Sequence, residues 1–127
     1  MPTLKRVEEF ISKVETNKHD EAIEQFYTED ASMQENNSKP FTGKVNLVEK
    51  ERNVLKKTKS VHSECIRPIF IKDDFVVIRW KFRFDWLDGT ITEMEELAYQ
   101  RWNKEFIAEI LARKPATFHI QNRWHSF

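Results

Sequence analysis

Two stretches of alternating apolar and polar residues, separated by Asp88-Gly89, constrain the fold of this chain more than any other feature. In the first stretch, Trp80, Phe82 and Phe84 alternate with charged residues, and a period of two is typical of a β-strand with one buried face. Asp-Gly favours a two-residue hairpin turn, because both central residues of that turn adopt positive φ. The chain is therefore expected to contain an antiparallel hairpin with one aromatic face.

The predicted turn brings acidic side chains onto this aromatic face. A two-residue turn pairs Leu87 with Thr90, and this register places Glu95 opposite Phe82. Burying the four aromatic side chains of this stretch, Trp80, Phe82, Phe84 and Trp86, contributes roughly 15–25 kcal/mol as an upper bound, whereas burying one polar group costs about 1–3 kcal/mol. The aromatic residues should decide which face is buried, so Glu95 is expected to point inward. This arrangement predicts a partly wet pocket rather than a solid core.

A carboxyl group in such a pocket is expected to have a raised pKa and to act as an acid or a base near neutral pH. Two alternatives stay open at the level of the sequence. Glu95 could instead form a structural ion pair with Arg67 or Arg101. A one-residue bulge in the hairpin would exchange Glu95 with Glu96 as the inward-facing carboxyl.

Helical and strand periodicities divide the chain into two parts. Apolar residues at helical spacing predict three helices, over residues 3–17, from the cap Asp20 to about Thr28, and over 44–57 with Val45 buried. Period-two patterns then predict four strands, at residues 60–71, 75–87, 90–102 and 105–112. Helices followed by strands with short turns indicate a single α+β domain over residues 1–127. Within it, residues 114–127 form either a last strand or a C-terminal extension.

The composition argues against several functional classes. Lys and Arg balance Asp and Glu at 21 each, whereas nucleic-acid-binding proteins usually have a basic excess. No apolar stretch approaches the ~18 residues needed to span a membrane, and the first residues lack the apolar core of a signal peptide. Cys65 is the one cysteine, so no internal disulfide is expected. We therefore expect a cytoplasmic protein that binds neither nucleic acid nor membranes.

The sequence carries no motif for a metal ion or an organic cofactor. Two glycines, Gly43 and Gly89, cannot supply a glycine-rich phosphate loop, and the four histidines are not at metal-binding spacing. The motifs CxxC, HExxH and GxSxG are also missing from the sequence. Neither a metal nor a cofactor is expected.

Four segments together resemble the SnoaL-like branch of the NTF2-like superfamily. They are FYTEDASMQENN at 26–37, TGKVNLVEKE at 42–51, VVIRWKFRF at 76–84 and EELAYQRWNKEFIAE at 95–109. The resemblance implies an α+β cone of three N-terminal helices packed on a curved, mostly antiparallel sheet. It also implies a pocket at the wide end and, usually, a dimer formed through the sheet. The superfamily includes isomerases, cyclases, hydrolases and dehydratases as well as non-catalytic binding domains, so the fold does not specify the activity.

The ketosteroid isomerase relatives allow one specific comparison. Glu35 lies at a position similar to their general-base carboxylate, which makes it the best single candidate for a proton carrier. The positions that match their two hydrogen-bond donors to the enolate are Phe10 and Ala98, and neither side chain can donate. Steroid isomerisation is therefore not expected. The same match points Ala98 toward the pocket, on the face opposite Glu95, in conflict with the hairpin register deduced above.

These arguments lead to two functions of different classes. The first is an enzyme without a cofactor that moves a proton on a small apolar or carbonyl-type molecule, as an isomerase, cyclase or hydrolase. The second is a non-catalytic ligand-binding or dimerisation domain. In either case a homodimer is expected, because the meander leaves a broad outer sheet face. The candidate catalytic residues are Glu35 and Glu95, and the candidate ligand-binding residues are Asn36, Trp80, Phe82, Phe84 and Tyr99.

Overall fold

A computed structural model of the protein describes residues 1–114 and 119–122. The helices are α1 (Leu4–Glu15), α2 (His19–Phe26) and α3 (Lys44–Lys56). The strands are β1 (Tyr27–Glu35), β2 (Phe41–Thr42), β3 (Thr58–Lys72), β4 (Phe75–Trp86), β5 (Thr90–Asn103), β6 (Phe106–Arg113) and β7 (His119–Asn122). The α+β class and the three predicted helices are confirmed.

The strands form one curved sheet in the order β2-β1-β6-β5-β4-β3. From β3 to β6, successive strands are antiparallel neighbours, as expected for a meander, whereas β1 and β6 pair in parallel. The strand β7 pairs with the N-terminal part of β5, on the edge that β6 occupies further along the same strand. The predicted last strand or extension at 114–127 otherwise falls largely outside the described residues.

The helices pack against one face of the sheet through an aromatic cluster. The ring centroid of Phe10 in α1 lies 5.5 Å from that of Phe26 in α2 and 6.1 Å from that of Trp102 in β5. Trp102 is fully buried, and its indole Nε1 donates a 3.0 Å hydrogen bond to Gln100 Oε1. These contacts fix α1 and α2 over the end of β5. No helix among the described residues is long and apolar enough to cross a membrane.

The helix boundaries follow local capping, with two departures from the prediction. α1 begins after Thr3, whose side-chain oxygen accepts a 3.1 Å hydrogen bond from Arg6 N–H. α2 begins at His19, two residues earlier than a cap at Asp20 predicts, so Asp20 lies in its first turn and does not cap it. Val45 is 72% exposed, and its predicted burial is wrong because the buried stripe of α3 passes through Leu47 and Val48.

The hairpin between β4 and β5 has a register one residue away from the predicted one. Phe82 pairs with Met94 rather than with Glu95. Because side chains alternate between the faces of a strand, this shift exchanges the two faces of β5. Glu96 therefore lies on the aromatic face, while Glu95 and Tyr99 lie on the outer face. The predicted inward orientation of Glu95 and Tyr99 is wrong.

The turn itself explains the shift. β4 ends at Trp86 and β5 begins at Thr90, so Leu87 belongs to the loop instead of pairing with Thr90. Asp88 Oδ1 accepts hydrogen bonds from the backbone N–H and the hydroxyl of Thr90, at 2.9 and 2.6 Å. Gly89 has a φ of 90°, which closes this longer loop in the left-handed conformation. Asp-Gly thus directs a hairpin here, but not the two-residue turn.

Candidate functional site

A cavity of about 630 Å³ lies between the helices and the inner face of the sheet. Its size is within the range typical of small-molecule sites. One wall is a row of alternate residues on β4, with neighbouring ring centroids 5.4 to 6.1 Å apart: Trp80, Phe82, Phe84 and Trp86. Apolar side chains from the helices and the other strands complete the lining: Phe10, Val14, Ala22, Ile23, Met33, Val54, Met94, Ala98 and Ile110.

Two carboxyls and one ammonium meet at one side of this cavity. Glu35 ends β1, Glu96 projects inward from β5, and Lys114 follows β6 directly. The strand order β1-β6-β5 brings the three side chains together, since Glu35 and Ala98 both pair with Ala112 of β6. Lys114 Nζ lies 3.2 Å from Glu35 Oε2 and 3.8 Å from Glu96 Oε2. One ammonium therefore serves both carboxyls.

The environments of these two carboxyls differ. The side chain of Glu96 is 17% exposed, compared with 42% for Glu35. Burial raises the pKa of Glu96; the Lys114 ammonium opposes this effect, and the negative charges of Glu35 and Glu51 reinforce it. Glu96 is therefore neutral at higher pH than an ordinary glutamate, and a neutral carboxyl can donate a hydrogen bond or a proton.

Tyr27, the first residue of β1, places a phenol in the same cavity. Its side chain is buried, and no described residue forms a hydrogen bond with its hydroxyl. Burial raises the pKa of this hydroxyl, and the charges of Glu51 and Glu96 raise it further. Tyr27 therefore stays neutral to higher pH than an ordinary tyrosine and can take part in hydrogen bonds with a ligand.

The helices contribute a hydrogen-bonded pair of polar side chains, His19 and Glu51, to the cavity. His19 begins α2, and its Nδ1 lies 3.3 Å from Oε1 of Glu51 in α3, while its Nε2 lies 2.7 Å from Ser63 Oγ in β3. The imidazole also packs edge-on against Phe82, with ring centroids 5.4 Å apart. Both ring nitrogens have partners, so the position of the imidazole is fixed. His19 and Glu51 line the cavity together.

The structure brings together five of the residues predicted from the sequence. They line the cavity: Glu35, Asn36, Trp80, Phe82 and Phe84. Their proposed roles in catalysis and ligand binding stay predictions. Glu95 and Tyr99 lie on the other side of the sheet, and Tyr99 is 42% exposed there.

Several cavity residues were not identified from the sequence. Glu96 was predicted to face inward only under the alternative of a one-residue bulge in the hairpin. Four other cavity residues carried no local signal, because they come from separate parts of the chain that meet only after the helices pack on the sheet: Tyr27, His19, Glu51 and Lys114. Helical or strand periodicity in the sequence could not have identified these four residues.

The cavity offers several hydrogen-bonding groups. Phe10 and Ala98, at the positions that match the isomerase donors, are both buried and line the cavity. Donors are supplied instead by the Tyr27 hydroxyl and by the neutral form of Glu96. Within the described ranges, no group of three or more His, Cys, Asp and Glu side chains is arranged to hold a metal ion.

Two solved structures with similar folds provide the comparison. An LEH-like epoxide hydrolase of M. tuberculosis matches with a TM-score of 0.73 at 10% sequence identity, covering 88% of this chain and 81% of that chain. An NTF2-like protein of unknown function from Exiguobacterium sp. 255-15 matches with a TM-score of 0.67 at 15% identity, covering 90% and 98%. No family model and no curated protein matches the sequence. At these identities the likeness shows the fold alone, and that fold is NTF2-like, as the resemblance implied.

Proposed function

We propose that this chain, which has the NTF2-like fold, binds a small, largely apolar molecule in its cavity and catalyses proton transfer on it. One observation carries the proposal: a cavity of about 630 Å³ with aromatic walls contains a mostly buried carboxyl, Glu96, whose pKa burial raises. Apolar walls favour an apolar body, and the carboxyl favours a hydrogen-bond acceptor on it, such as a carbonyl oxygen. Asn36, which also lines the cavity, would orient a further polar atom of the ligand.

The two carboxyls suit opposite roles in such a transfer. Glu96, whose pKa burial raises, donates a proton to the ligand oxygen from its neutral form, while Glu35, more exposed and 3.2 Å from the Lys114 ammonium, accepts a proton from carbon or from a water molecule. On a ketone, these two transfers convert the keto form into the enol. On an epoxide, they open the ring with water and give a diol. Hydrolysis deserves inclusion because one structural neighbour is described as an epoxide hydrolase.

The test measures both reactions with small apolar substrates. A panel of aryl ketones is incubated in D₂O and followed by mass spectrometry for exchange at the α-carbon, and a panel of aryl epoxides is followed for diol formation. We expect turnover by the native chain, a loss of about 10²-fold or more in Glu96→Gln and Glu35→Gln, and no change in Glu95→Gln. Glu95 is the matched control, since it neighbours Glu96 on the same strand but faces outward. Equal rates in all four proteins would remove the catalytic proposal.

A second function, ligand binding without turnover, is favoured by one contact. Lys114 pairs with Glu35 and also approaches Glu96, and carboxylates held in ion pairs are common in sites without chemistry. In this case the ligand panel would shift the NMR signals of the Trp80 and Trp86 indoles without forming product.

We also propose that the chain forms a homodimer through the outer face of its sheet. An apolar row crosses four neighbouring strands there, because each of its residues pairs with the next one on the adjacent strand. The row consists of Phe70, Val77, Tyr99 and Leu111. Phe70 and Tyr99 are exposed, and Leu97 beside them is exposed as well. An exposed apolar row of this kind favours a protein interface. Sedimentation of a 15.3 kDa species at high micromolar concentration would contradict the dimer.

The proposed location is the cytoplasm. It is supported by the lone Cys65, which is buried and, as a single thiol, forms no internal disulfide. Cell fractionation with the native chain tests this proposal.

A further inference from the structure

Gln100 is a polar side chain buried among apolar ones on the inner face of β5. It is 1% exposed and lines the cavity. Its strand partners are Val76 on β4 and Ile110 on β6. Its nearest neighbours on the same face of β5 are Ala98 and Trp102. None of these four side chains carries an oxygen or another strong hydrogen-bond acceptor, so an amide at this position has few possible partners.

The indole of Trp102 fixes the orientation of this amide. Trp102 Nε1 donates a 3.0 Å hydrogen bond to the side chain of Gln100. An indole N–H can only donate, so the atom that faces it must be the amide oxygen, and the amide nitrogen, Nε2, lies on the other side of the amide group. The oxygen of Gln100 is thus occupied, and what the side chain still offers is the pair of N–H donors on Nε2.

These two donors have no protein partner, although the residue is buried. None of the residues that the structure describes accepts a hydrogen bond from Gln100 Nε2. Within the same residues, Asn17 Oδ1 is the one buried side-chain polar atom that both lacks a partner and is sealed from open space. Nε2 lacks a partner without being sealed, so it is in contact with the cavity. Buried polar groups normally have a partner, and these donors therefore suit an acceptor that enters the cavity.

The Gln100 amide lies well away from the carboxyl of Glu96. The two residues are four positions apart on the same face of β5, which separates their Cα atoms by roughly 13 Å at the rise of a β-strand. Gln100 is at the end of the cavity that α1 covers, because the ring centroid of Phe10 lies 6.1 Å from that of Trp102. Glu96 is instead on the side of Lys114, at 3.8 Å. One small polar group of a ligand cannot reach both side chains.

We infer that Gln100 forms a second polar subsite of the cavity, at which Nε2 donates a hydrogen bond to a carbonyl oxygen of the ligand. The ligand is then an elongated molecule with an apolar body and an acceptor at each end, one contacted by Glu96 and the other by Gln100. Because Gln100 offers only donors, this end of the cavity selects a carbonyl over an apolar group of the same shape. The inference rests on the proposed function, because this subsite belongs to the same cavity.

The test uses two aromatic ketones of nearly equal shape. 2,6-Diacetylnaphthalene has a carbonyl oxygen at each end, whereas in 2-acetyl-6-isopropenylnaphthalene a CH₂ group replaces one of these oxygens. Titrations of the native chain are followed by ¹⁵N NMR at the indole N–H groups of Trp80 and Trp86, which line the cavity, and at the side-chain NH₂ group of Gln100. We expect the diketone to bind about tenfold more tightly than the monoketone and to shift the NH₂ signals of Gln100.

Two variants then assign the preference to one side chain. Gln100→Met removes the NH₂ donors at nearly the same side-chain volume, and it should reduce the advantage of the diketone to about twofold or less, the statistical gain from two equivalent ends. Gln25→Met is the matched control, because Gln25 is exposed on α2 and does not line the cavity. It should keep the tenfold preference. The spectrum of each variant also reports whether it is folded, and the NH₂ signals missing from that of Gln100→Met identify those of Gln100.

The outcomes separate this subsite from the proposed function. Equal binding of the two ketones by the native chain would mean that water serves the Gln100 amide, and it would overturn the subsite while leaving ligand binding in the cavity intact. A tenfold preference that persists in Gln100→Met would overturn the assignment to Gln100. The comparison of the two ketones uses the native chain, so it decides the matter even if Gln100→Met fails to fold. If neither ketone shifts either indole signal, the subsite and the proposed function both fail.

Discussion

The two faces of the β4–β5 hairpin are made of adjacent residues, yet they have opposite physical character. Glu95 and Glu96 are neighbours with identical side chains. Glu95 is exposed on the outer face and pairs across the strands with Lys81. Glu96 lies opposite Trp80 on the inner face, where burial raises its pKa. The chemical character of a glutamate in this hairpin is therefore set by the face it occupies, because only the inner face excludes most of the solvent.

The outer face of the hairpin carries solvent-exposed ion pairs, whereas the inner face is largely shielded from water. There, Arg83 reaches Glu93 at 3.1 Å and Asp85 at 3.5 Å, and such exposed ion pairs contribute about 0–1 kcal/mol because water competes for both partners. On the inner face, water is largely replaced by aromatic rings, and one ammonium serves two carboxyls. A substitution should therefore have a large effect on one face and a small effect on the other.

The largest expected contrast concerns packing. Trp80→Ala removes a buried indole from the inner face and should lower the free energy of unfolding by about 3–5 kcal/mol. Lys81→Ala, the adjacent exposed position, should change it by no more than about 0.5 kcal/mol. Urea unfolding followed by circular dichroism measures both values. A loss below about 1 kcal/mol in Trp80→Ala would mean that the wall of the cavity is not under packing constraint.

The face contrast was only partly predictable from the sequence. The alternation along β4 was sufficient to place Trp80, Phe82 and Phe84 inward, since burying large rings outweighs other contributions. The order of helices and strands was sufficient for the α+β class. The face of β5 was not determined in the same way, because its alternation is weak and depends on the turn. Hydrogen bonds from Thr90 to Asp88 stabilise the longer loop. The longer loop shifts the register by one residue, so every residue of β5 lies on the face opposite to the predicted one.

The polar part of the site was still less predictable. Lys114 contacts Glu35 because parallel pairing sets β1 beside β6, and nothing in the local sequence indicates that pairing. Tyr27 and Glu51 meet the cavity through the packing of helices on the sheet. Local patterns specify which face of an element is buried, whereas a site assembled from all three helices and several strands depends on their tertiary arrangement.

The outer face is also the proposed dimer interface, and a substitution of Tyr99 tests that proposal. Tyr99→Glu places a charge in the centre of the apolar row, and we expect it to weaken dimerisation by about 2 kcal/mol, or about 30-fold in Kd. Lys104→Glu introduces a carboxylate in the exposed turn before β6 and should leave the dimer intact. Analytical ultracentrifugation over a concentration series measures both. Unchanged association in Tyr99→Glu would place the interface elsewhere.

The pH dependence of stability should distinguish Glu96 from Glu95. The pKa of Glu96 is raised by folding, so between about pH 4.3, the unfolded value, and its raised folded value the native state binds more protons than the unfolded state. Glu96 therefore destabilises the fold progressively as pH rises through this window. Glu96→Gln should remove that loss and raise the free energy of unfolding by on the order of 1 kcal/mol at the upper end of the window.

The matched measurement is made on Glu95→Gln. This exposed position should leave the pH profile of unfolding unchanged within about 0.5 kcal/mol. Urea unfolding at half-unit intervals from pH 4 to pH 9 gives the three curves. Parallel curves for the native chain and Glu96→Gln would show that Glu96 does not have a raised pKa, and they would remove the acid role proposed for it.

The smallest expected effect belongs to Glu8, an ion-paired surface glutamate that should show the opposite slope. Arg67 donates two hydrogen bonds to its carboxylate, at 2.9 and 2.6 Å, and these lower the pKa of Glu8. A lowered pKa stabilises the fold above the unfolded value of about 4.3, and this stabilisation is lost as pH falls through the folded pKa. Because the pair is exposed to solvent, Glu8→Gln should lower the free energy of unfolding at pH 7 by only about 0.5 kcal/mol, and by nothing measurable near pH 2.5. Glu9→Gln, at the exposed neighbouring position, should change neither value. The free energy of unfolding of Glu8→Gln could instead rise relative to that of the native chain as pH rises, as expected for Glu96→Gln. Solvent exposure would then not explain the difference between Glu8 and Glu96.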